Sequence, residues 1–310
     1  MKVLITGGTG FVGRALASRL SAEGFHVRAT SRYRDDLLHE IVAVGEMDEK
    51  TNWKGAIGGA EAVIHLADRA DTAQSGIPQK NVAATLCLAR QAASVGVKRF
   101  IFLSSIQALS DTTPPGLALK PEDRSQPGNS YGESKRAAEM ALQSFSKESG
   151  MELVIIRPPL VYGPGVKANF RVLLWAVARG VPIPLDDLDL NRRSFVSLSN
   201  LNDLILQCLN KPAAANQTFH VSDDDDISTA ELLRRMGKAL GKPMRNLPLP
   251  LRFVKVGLIL AGKGCWVQKL YGNLRMDISQ TKKLIGWKPV TTMDDELEKS
   301  SLWWKSHSKY

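Results

Sequence analysis

The chain has 310 residues, 44% hydrophobic and 23% charged, with a formal net charge of +10. That is ordinary globular composition, with room for one large domain or two modest ones. Aromatics are only 6% and the basic residues are scattered, which excludes a nucleic-acid stacking platform and leaves a solvated basic surface or an anionic small substrate.

Taken in chain order, Met1 leads at once into the strand-like Lys2-Val3-Leu4-Ile5-Thr6, so no secretory leader is expected. Arg14–Glu23 reads as a helix, His26–Ser31 and Ala62–Ala67 as strands, and Asn81–Val95 as a helix with Leu86, Ala89 and Ala93 on one face. Arg99–Ser104 is a strand, Ser134–Ser149 a helix and Leu153–Arg157 a strand. Strand–helix alternation predicts βαβ units and a parallel sheet covered on both faces, with right-handed crossovers.

After Arg157 the texture changes. Pro158, Pro159, Gly163, Pro164 and Gly165 mark a loop leaving the sheet, followed by a helix over Phe170–Arg179 and the short segment Val181–Leu185. Asn202–Asn210 (helical) and Gln217–Val221 (strand-like) are expected to return to the sheet. The acidic run Asp223–Asp226 reads as a solvated loop ahead of a capping box, Ser228-Thr229-Ala230-Glu231, that opens a helix over Glu231–Leu240. Cys87, Cys208 and Cys265 are isolated, so no metal site and no disulfide framework is indicated. They suit small buried positions in a reducing, cytoplasmic compartment. No run approaches the roughly 20 apolar residues of a membrane span. Val256–Ala261, between Lys255 and Lys263, is short and reads as a core helix, with a place on a membrane surface as the alternative.

Thr6-Gly7-Gly8-Thr9-Gly10-Phe11-Val12-Gly13 follows the first strand and opens the first helix. One glycine allows the tight turn, one lets backbone approach a pyrophosphate, and one packs helix on strand. The helix N-terminus then offers free N–H groups and its positive dipole end. The context makes this a dinucleotide-binding fingerprint rather than an idle turn. At the end of the second strand, where Asp or Glu binds a ribose 2′-hydroxyl, stands Ser31, followed by Arg32 and Arg34. A hydroxyl and guanidiniums suit a 2′-phosphate, so NAD(P) is expected with NADP(H) favoured; the plainer reading is that the arginines are surface cations.

Tyr131-Gly132-Glu133-Ser134-Lys135 puts a phenol and an ammonium four apart on one helix face. A free phenol has a pKa of about 10, and the ammonium is expected to lower it toward easy proton exchange. Alone, such a pair is usually a surface feature. The context is Phe100-Ile101-Phe102-Leu103-Ser104-Ser105, a strand ending in two hydroxyls where ligands sit in open α/β sheets; one of the two serines is expected to do no more than cap the strand end.

Together these residues resemble the NAD-dependent epimerase/dehydratase family of extended short-chain dehydrogenases. The resemblance runs from residue 1 to about 300 and extends to Val63-Ile64-His65-Leu66-Ala67, Asn81-Val82, Gly96–Phe100, Arg157-Pro158, Tyr162-Gly163-Pro164, Arg192–Val196 and Asp277–Pro289 with its Gly286-Trp287. It implies an α/β Rossmann fold, a doubly wound parallel sheet with a smaller C-terminal α/β substrate-binding domain. Residues 1–165, with a returning segment near 196–221, would form the NAD(P)-binding domain, and 166–195 with 222–310 the substrate-binding domain. It also implies that Tyr131 is the acid/base, that Lys135 holds the nicotinamide ribose and tunes Tyr131, and that Ser105 orients the reacting oxygen. Gly7, Gly10, Phe11, Val12, Gly13, Ser31, Arg32, Leu66, Ala67, Asn81, Ser104, Tyr131, Lys135 and Pro158 would line the cofactor. Ser105, Gln107, Asn169, Ile183, Leu185, Arg193 and Arg275 would line a nucleotide-sugar substrate, with Asn169 and Arg193 on its pyrophosphate. The family's mode of pairing the Asn81 and Tyr131 helices implies a homodimer.

Gln107 stands where sugar-nucleotide epimerases often carry Thr, and Ile106-Gln107 supplies no carboxylate where 4,6-dehydratases carry an acidic pair. The expected activity is NADPH-dependent reduction of a nucleotide-linked 4-keto-6-deoxy hexose in surface polysaccharide synthesis. A UDP-hexose or UDP-N-acetylhexosamine 4-epimerase is the alternative, and a non-catalytic Rossmann sensor the minor one.

Overall fold

Near-continuous apolar runs lay down the central strands of the sheet, and both of its faces are buried. The computed structural model describes residues 1–32, 40–68, 77–247 and 264–307. The elements of the first half are β1 (Lys2–Thr6), α1 (Phe11–Ala22), β2 (His26–Ser31), β3 (Ile41–Ala43), α2 (Lys54–Ile57), β4 (Ala62–His65), α3 (Ile77–Ser94), β5 (Arg99–Leu103), α4 (Ser130–Ser149) and β6 (Glu152–Arg157). The second half adds β7 (Leu160–Tyr162), α5 (Ala168–Ala178), β8 (Phe195–Ser197), α6 (Leu198–Asn210), β9 (Gln217–His220), α7 (Thr229–Leu240), α8 (Gly264–Tyr271), α9 (Ser279–Ile285) and α10 (Met293–His307).

Among the described residues, seven strands form one parallel sheet in the order β3-β2-β1-β4-β5-β6-β9, a doubly wound arrangement that reverses direction at β1/β4. Successive side chains point to opposite faces. Val3, Ile5, Ile64, Val154 and Ile156 pack with α1 and α6, while Leu4, Val63, Leu153 and Ile155 pack with α3 and α4. A third apolar cluster joins α5, α7 and α10 in the C-terminal half, where β7 and β8 form a small parallel pair. β9 lies beside β6 in the main sheet, so the chain does return to it. No helix among the described residues is long and apolar enough to cross a membrane. Residues 248–263 of the basic apolar segment lie outside the described residues, as do Arg34 and the side chain of Cys265.

Half of the expected capping box is present: Ser228 Oγ accepts from Glu231 N at 2.9 Å, while the Glu231 carboxylate accepts from Arg235 Nε at 2.9 Å. The acidic run before it departs from the solvated loop expected. Asp223 is buried and accepts from Tyr162 Oη at 2.6 Å, Ser197 N at 2.8 Å and Asn200 Nδ2 at 2.7 Å. Asp224 pairs with Lys282, Asp225 with Arg235, and Asp226 with Arg275. The run leaves the sheet where several elements meet, so each carboxylate finds a different donor, and together they tie β7, β8, α6, α7 and α9 to one loop.

Helix α4 is anchored by charge as well as by apolar contact. Glu139 is fully buried; its Oε1 takes Ser104 Oγ at 2.6 Å and Arg157 Nε at 2.8 Å, and its Oε2 takes Arg157 Nη2 at 2.7 Å. Breaking a buried pair strands the remaining charge. Glu139→Gln is expected to destabilise the fold by about 3–5 kcal/mol in denaturant unfolding, because it leaves the Arg157 guanidinium buried without its carboxylate.

Candidate active site

The first turn after β1 is built for close approach. Gly7 sits at φ +70°, Gly8 N donates to Thr30 O at 3.0 Å and Gly10 N to Gly7 O at 2.9 Å. A Cβ on Gly13 would fall 2.2 Å from Gly7 O, and one on Gly8 would fall 2.4 Å from Ala29 Cβ. The N-cap of α1 is Gly10, with no side-chain cap and no acidic residue in the first turn, so the N–H groups there stay open to an anion. Thr6 Oγ1 lies 2.7 Å from His65 Nδ1 and accepts from Ala67 N at 3.3 Å. His65 Nε2 lies 3.0 Å from Thr85 Oγ1, and burial lowers the imidazole pKa to about 3. A neutral histidine therefore braces the loop that carries Leu66 and Ala67. Ser31 ends β2 in a buried position and Arg32 is exposed. These residues fit a dinucleotide: Gly7–Gly13 would hold its pyrophosphate, and Leu66, Ala67 and Asn81 would flank it.

The candidate catalytic residues gather at the start of α4. Asn129 caps the helix, its Oδ1 accepting from Gly132 N at 2.9 Å. A Cβ on Gly132 would lie 2.3 Å from Gln107 O, so only glycine lets the first turn of α4 sit on the turn that follows Ser105. That contact sets Ser105 beside Tyr131, where it favours the ionised phenol, while Ser105 Oγ accepts from Gln107 N at 3.2 Å. The two strand-end serines divide the work: Ser104 turns its hydroxyl to Glu139 behind the site, and Ser105 faces Tyr131. Pro158 contributes its carbonyl to Ile106 N at 2.9 Å, which steadies the same turn.

Lys135 is buried, with Nζ 3.0 Å from Asp68 Oδ2, donating to Leu103 O at 3.0 Å, and 5.8 Å from the centre of the Tyr131 ring. Burial alone would lower its pKa, but Asp68, Tyr131 and Glu139 outweigh burial and raise it, so the ammonium stays charged. Tyr131 does not follow the expected fall. Burial raises its pKa, Asp68 adds to the rise, and the opposing pull of Lys135 and Ser105 does not overcome them. Asp68, Asn129 and Gly132 carry functions that sequence reasoning did not assign. The available signal for Asp68 was a carboxylate one residue beyond the strand-end loop.

The substrate-side residues separate on contact. Arg193 is half-buried, donates Nη1 to Gly272 O at 2.9 Å, and has no carboxylate within ion-pair distance among the described residues. Burial lowers its pKa to about 10, with Asp111 opposing. Arg275, in contrast, is paired with Asp226 at 2.8 Å, so its charge is already met. Gln107 Nε2 donates to Asp111 Oδ1 at 2.6 Å, and the same oxygen takes Asn129 Nδ2 at 2.6 Å. Ile183 pairs with the backbone at Arg245 and Leu247. Leu185 is buried and lines a cavity of about 710 Å³ with Asp186, Arg234, Lys238 and Met244. The side chain of Asn169, at the start of α5, lies outside the described residues.

An anion-ready helix N-terminus at the sheet's switch point, with a Tyr–Lys pair and a serine at the carboxyl edge of the same sheet, marks a dinucleotide-dependent enzyme. The chain belongs to the NAD dependent epimerase/dehydratase family, whose model matches residues 3–222. It is 42% identical to a UDP-glucose 4-epimerase of Vibrio cholerae, over 96% of this chain and 94% of that one. It is 26% identical to a UDP-glucose 4-epimerase of Mycolicibacterium smegmatis, over the whole of both. The fold matches the crystal structure of UDP-N-acetylglucosamine 4-epimerase from Bacillus cereus with a TM-score of 0.81 at 20% identity, covering 98% of this chain and 99% of that one.

Gly13→Ala is expected to weaken nicotinamide-nucleotide binding at least about tenfold, a loss of roughly 1.4 kcal/mol, because the added methyl forces α1 off the turn. Fluorescence titration with the cofactor checks it.

Proposed function

We propose that this protein is a nucleotide-sugar 4-epimerase acting on a UDP-hexose. The observation that carries the reading is the near full-length 42% identity to the Vibrio cholerae enzyme of that name. The site chemistry agrees with it. Bound in the Gly7–Gly13 cradle, the nicotinamide nucleotide supplies a reversible hydride acceptor. As the phenolate, Tyr131 takes the proton of the sugar's 4-hydroxyl as that position is oxidised, and as the phenol so formed it gives the proton back when the other face is reduced. Ser105 hydrogen-bonds the reacting oxygen, and Lys135 keeps a positive charge beside the phenol. Arg193, a guanidinium with no carboxylate partner among the described residues, meets the diphosphate. Asn169 would join it there, with Ile183 and Leu185 toward the base.

One observation favours a second reading. Ser31 and Arg32 offer a hydroxyl and a cation where an acidic residue would bind a ribose hydroxyl, which suits NADP(H) and a reductase acting on a 4-keto nucleotide sugar. The two readings part on cofactor retention. An epimerase returns the hydride within one turnover, so protein denatured after purification is expected to release close to one equivalent of NAD and to interconvert UDP-glucose and UDP-galactose. Protein that releases nothing, binds NADPH more tightly than NADH and consumes it with a 4-keto sugar establishes the reductase instead. Under either reading, Tyr131→Phe is expected to lower kcat by about 10²–10⁴ while cofactor binding holds. Arg193→Ala is expected to raise KM about tenfold or more by removing a charge-assisted contact, with kcat less affected. Steady-state kinetics on both variants checks this pair.

A further inference from the structure

Asp68 is a third charged group at the acid/base pair. Its Oδ2 lies 3.0 Å from Lys135 Nζ, and its Oδ1 accepts from Asn81 Nδ2 at 3.2 Å. The carboxylate is thus held between the N-terminal turns of α3 and the buried face of α4. Lys135 is surrounded on its other sides by Leu103 O and the ring of Phe102, 5.0 Å from the ring centre. The groups facing Tyr131 are Lys135 on α4, Asp68 beyond β4 and Ser105 beyond β5. Those facing Lys135 add Glu139 on α4 and the neutral His65 on β4, while α3 contributes the uncharged Asn81 and Thr85. Glu139 is already shared by Arg157 and Arg136. Asp68 has no cation other than Lys135 within ion-pair distance among the described residues.

We propose that Asp68 is a positioning residue of the catalytic pair. Its carboxylate fixes the Lys135 ammonium and cancels part of the field that this ammonium exerts on the Tyr131 hydroxyl, so that the resting enzyme holds Tyr131 as a proton donor. The physical argument is a charge balance in a buried place. An ammonium alone beside a phenol favours the phenolate, whereas an ammonium joined to a carboxylate at 3.0 Å presents a dipole with a much weaker pull. The raised pKa of Tyr131, to which Asp68 contributes, agrees with that balance. Taking a proton from a sugar hydroxyl then requires Tyr131 to lose its own first, so sugar oxidation gains rate as pH rises, while proton donation to a carbonyl is ready at neutral pH.

This inference rests on Tyr131 being the acid/base, and its test needs neither sugar nor cofactor, so it stands or falls apart from the choice of reaction. The chain has five tyrosines, and Tyr131 is isolated as the ultraviolet phenolate titration of each protein minus that of the same protein carrying Tyr131→Phe. In Asp68→Asn the Tyr131 midpoint is expected to fall by about one pH unit or more, a tenfold or larger gain in phenolate at fixed pH. Asp68→Glu, which restores the charge, is expected to stay near the parent value. Asp68→Ala gives the same reading as Asp68→Asn where the amide is not tolerated. A midpoint that stays or rises in both the Asn and Ala variants overturns the proposal. So does an equal fall in Asp68→Glu, which would make the effect one of shape rather than charge.

Discussion

The position of α4, the helix that carries Tyr131 and Lys135, depends on one buried ion pair. Glu139 stands one turn beyond Lys135 on α4 with no exposure to solvent, and Arg157 at the end of β6 reaches it with two nitrogens. The same carboxylate takes the hydroxyl of Ser104 at the end of β5. Two neighbouring strands and one helix are thus fixed to a single group, at the carboxyl edge where this class of sheet carries its chemistry. Apolar packing alone would let α4 slide or rotate by fractions of a turn. Directional charged hydrogen bonds in a low-dielectric interior do not, because a misplaced charge there costs several kcal/mol. The price is a fold that tolerates little change at 139 or 157.

Given that anchor, the reactive side of α4 follows. Tyr131, Lys135 and Glu139 are spaced four apart and share one stripe. Glu139 faces the strands, Lys135 faces the loop beyond β4, and Tyr131 faces the turn beyond β5. Gly132 allows the last contact by its lack of a side chain. The electrostatics of the stripe are a sequence of compensations: Glu139 by Arg157, Lys135 by Asp68, and Tyr131 held as a phenol by burial and by the partial cancellation of Lys135.

The strands were readable because β-branched and aromatic runs such as Val3–Thr6 and Arg99–Phe102 are bounded by turn residues, and their ends moved by only a residue or two in the structure. The three-residue strands β3, β7 and β8 were not, since runs that short carry too few residues for a period or an apolar run to stand out. The same distinction runs through the site. The glycine turn and the Tyr-x-x-x-Lys spacing are local patterns. The direction in which Tyr131 shifts is not, because Asp68 lies more than sixty residues before it and reaches Lys135 only through the fold. Ser104 and Ser105 are alike as residues, and only the resemblance singles out Ser105; a single residue's difference in facing sends one to Glu139 and sets the other beside Tyr131. Arg193 and Arg275 likewise look equal until Asp226 is found beside only one of them.

The acidic run shows how the two halves of the site come into register. Arg193 is held by backbone bonds to Ile227 and by its own bond to Gly272 O, and the neighbouring Ser194 bonds Leu274 O and Asp226. The loop that follows Ser105 is stitched to the same strip, with Thr113 N on Asn273 O and Leu119 N on Arg275 O. The strip 272–277 therefore lies between the turn that carries Ser105 and the segment that carries Arg193, and bonds to both. Asp223 and Asp226 fix its neighbours through groups that all become buried or paired on folding. A substrate that contacts both Ser105 and Arg193 must span two chain segments whose separation this stitching sets. On the proposed function, the length of substrate accepted between reacting carbon and anionic group would be set by the 272–277 strip as much as by the residues that touch the substrate.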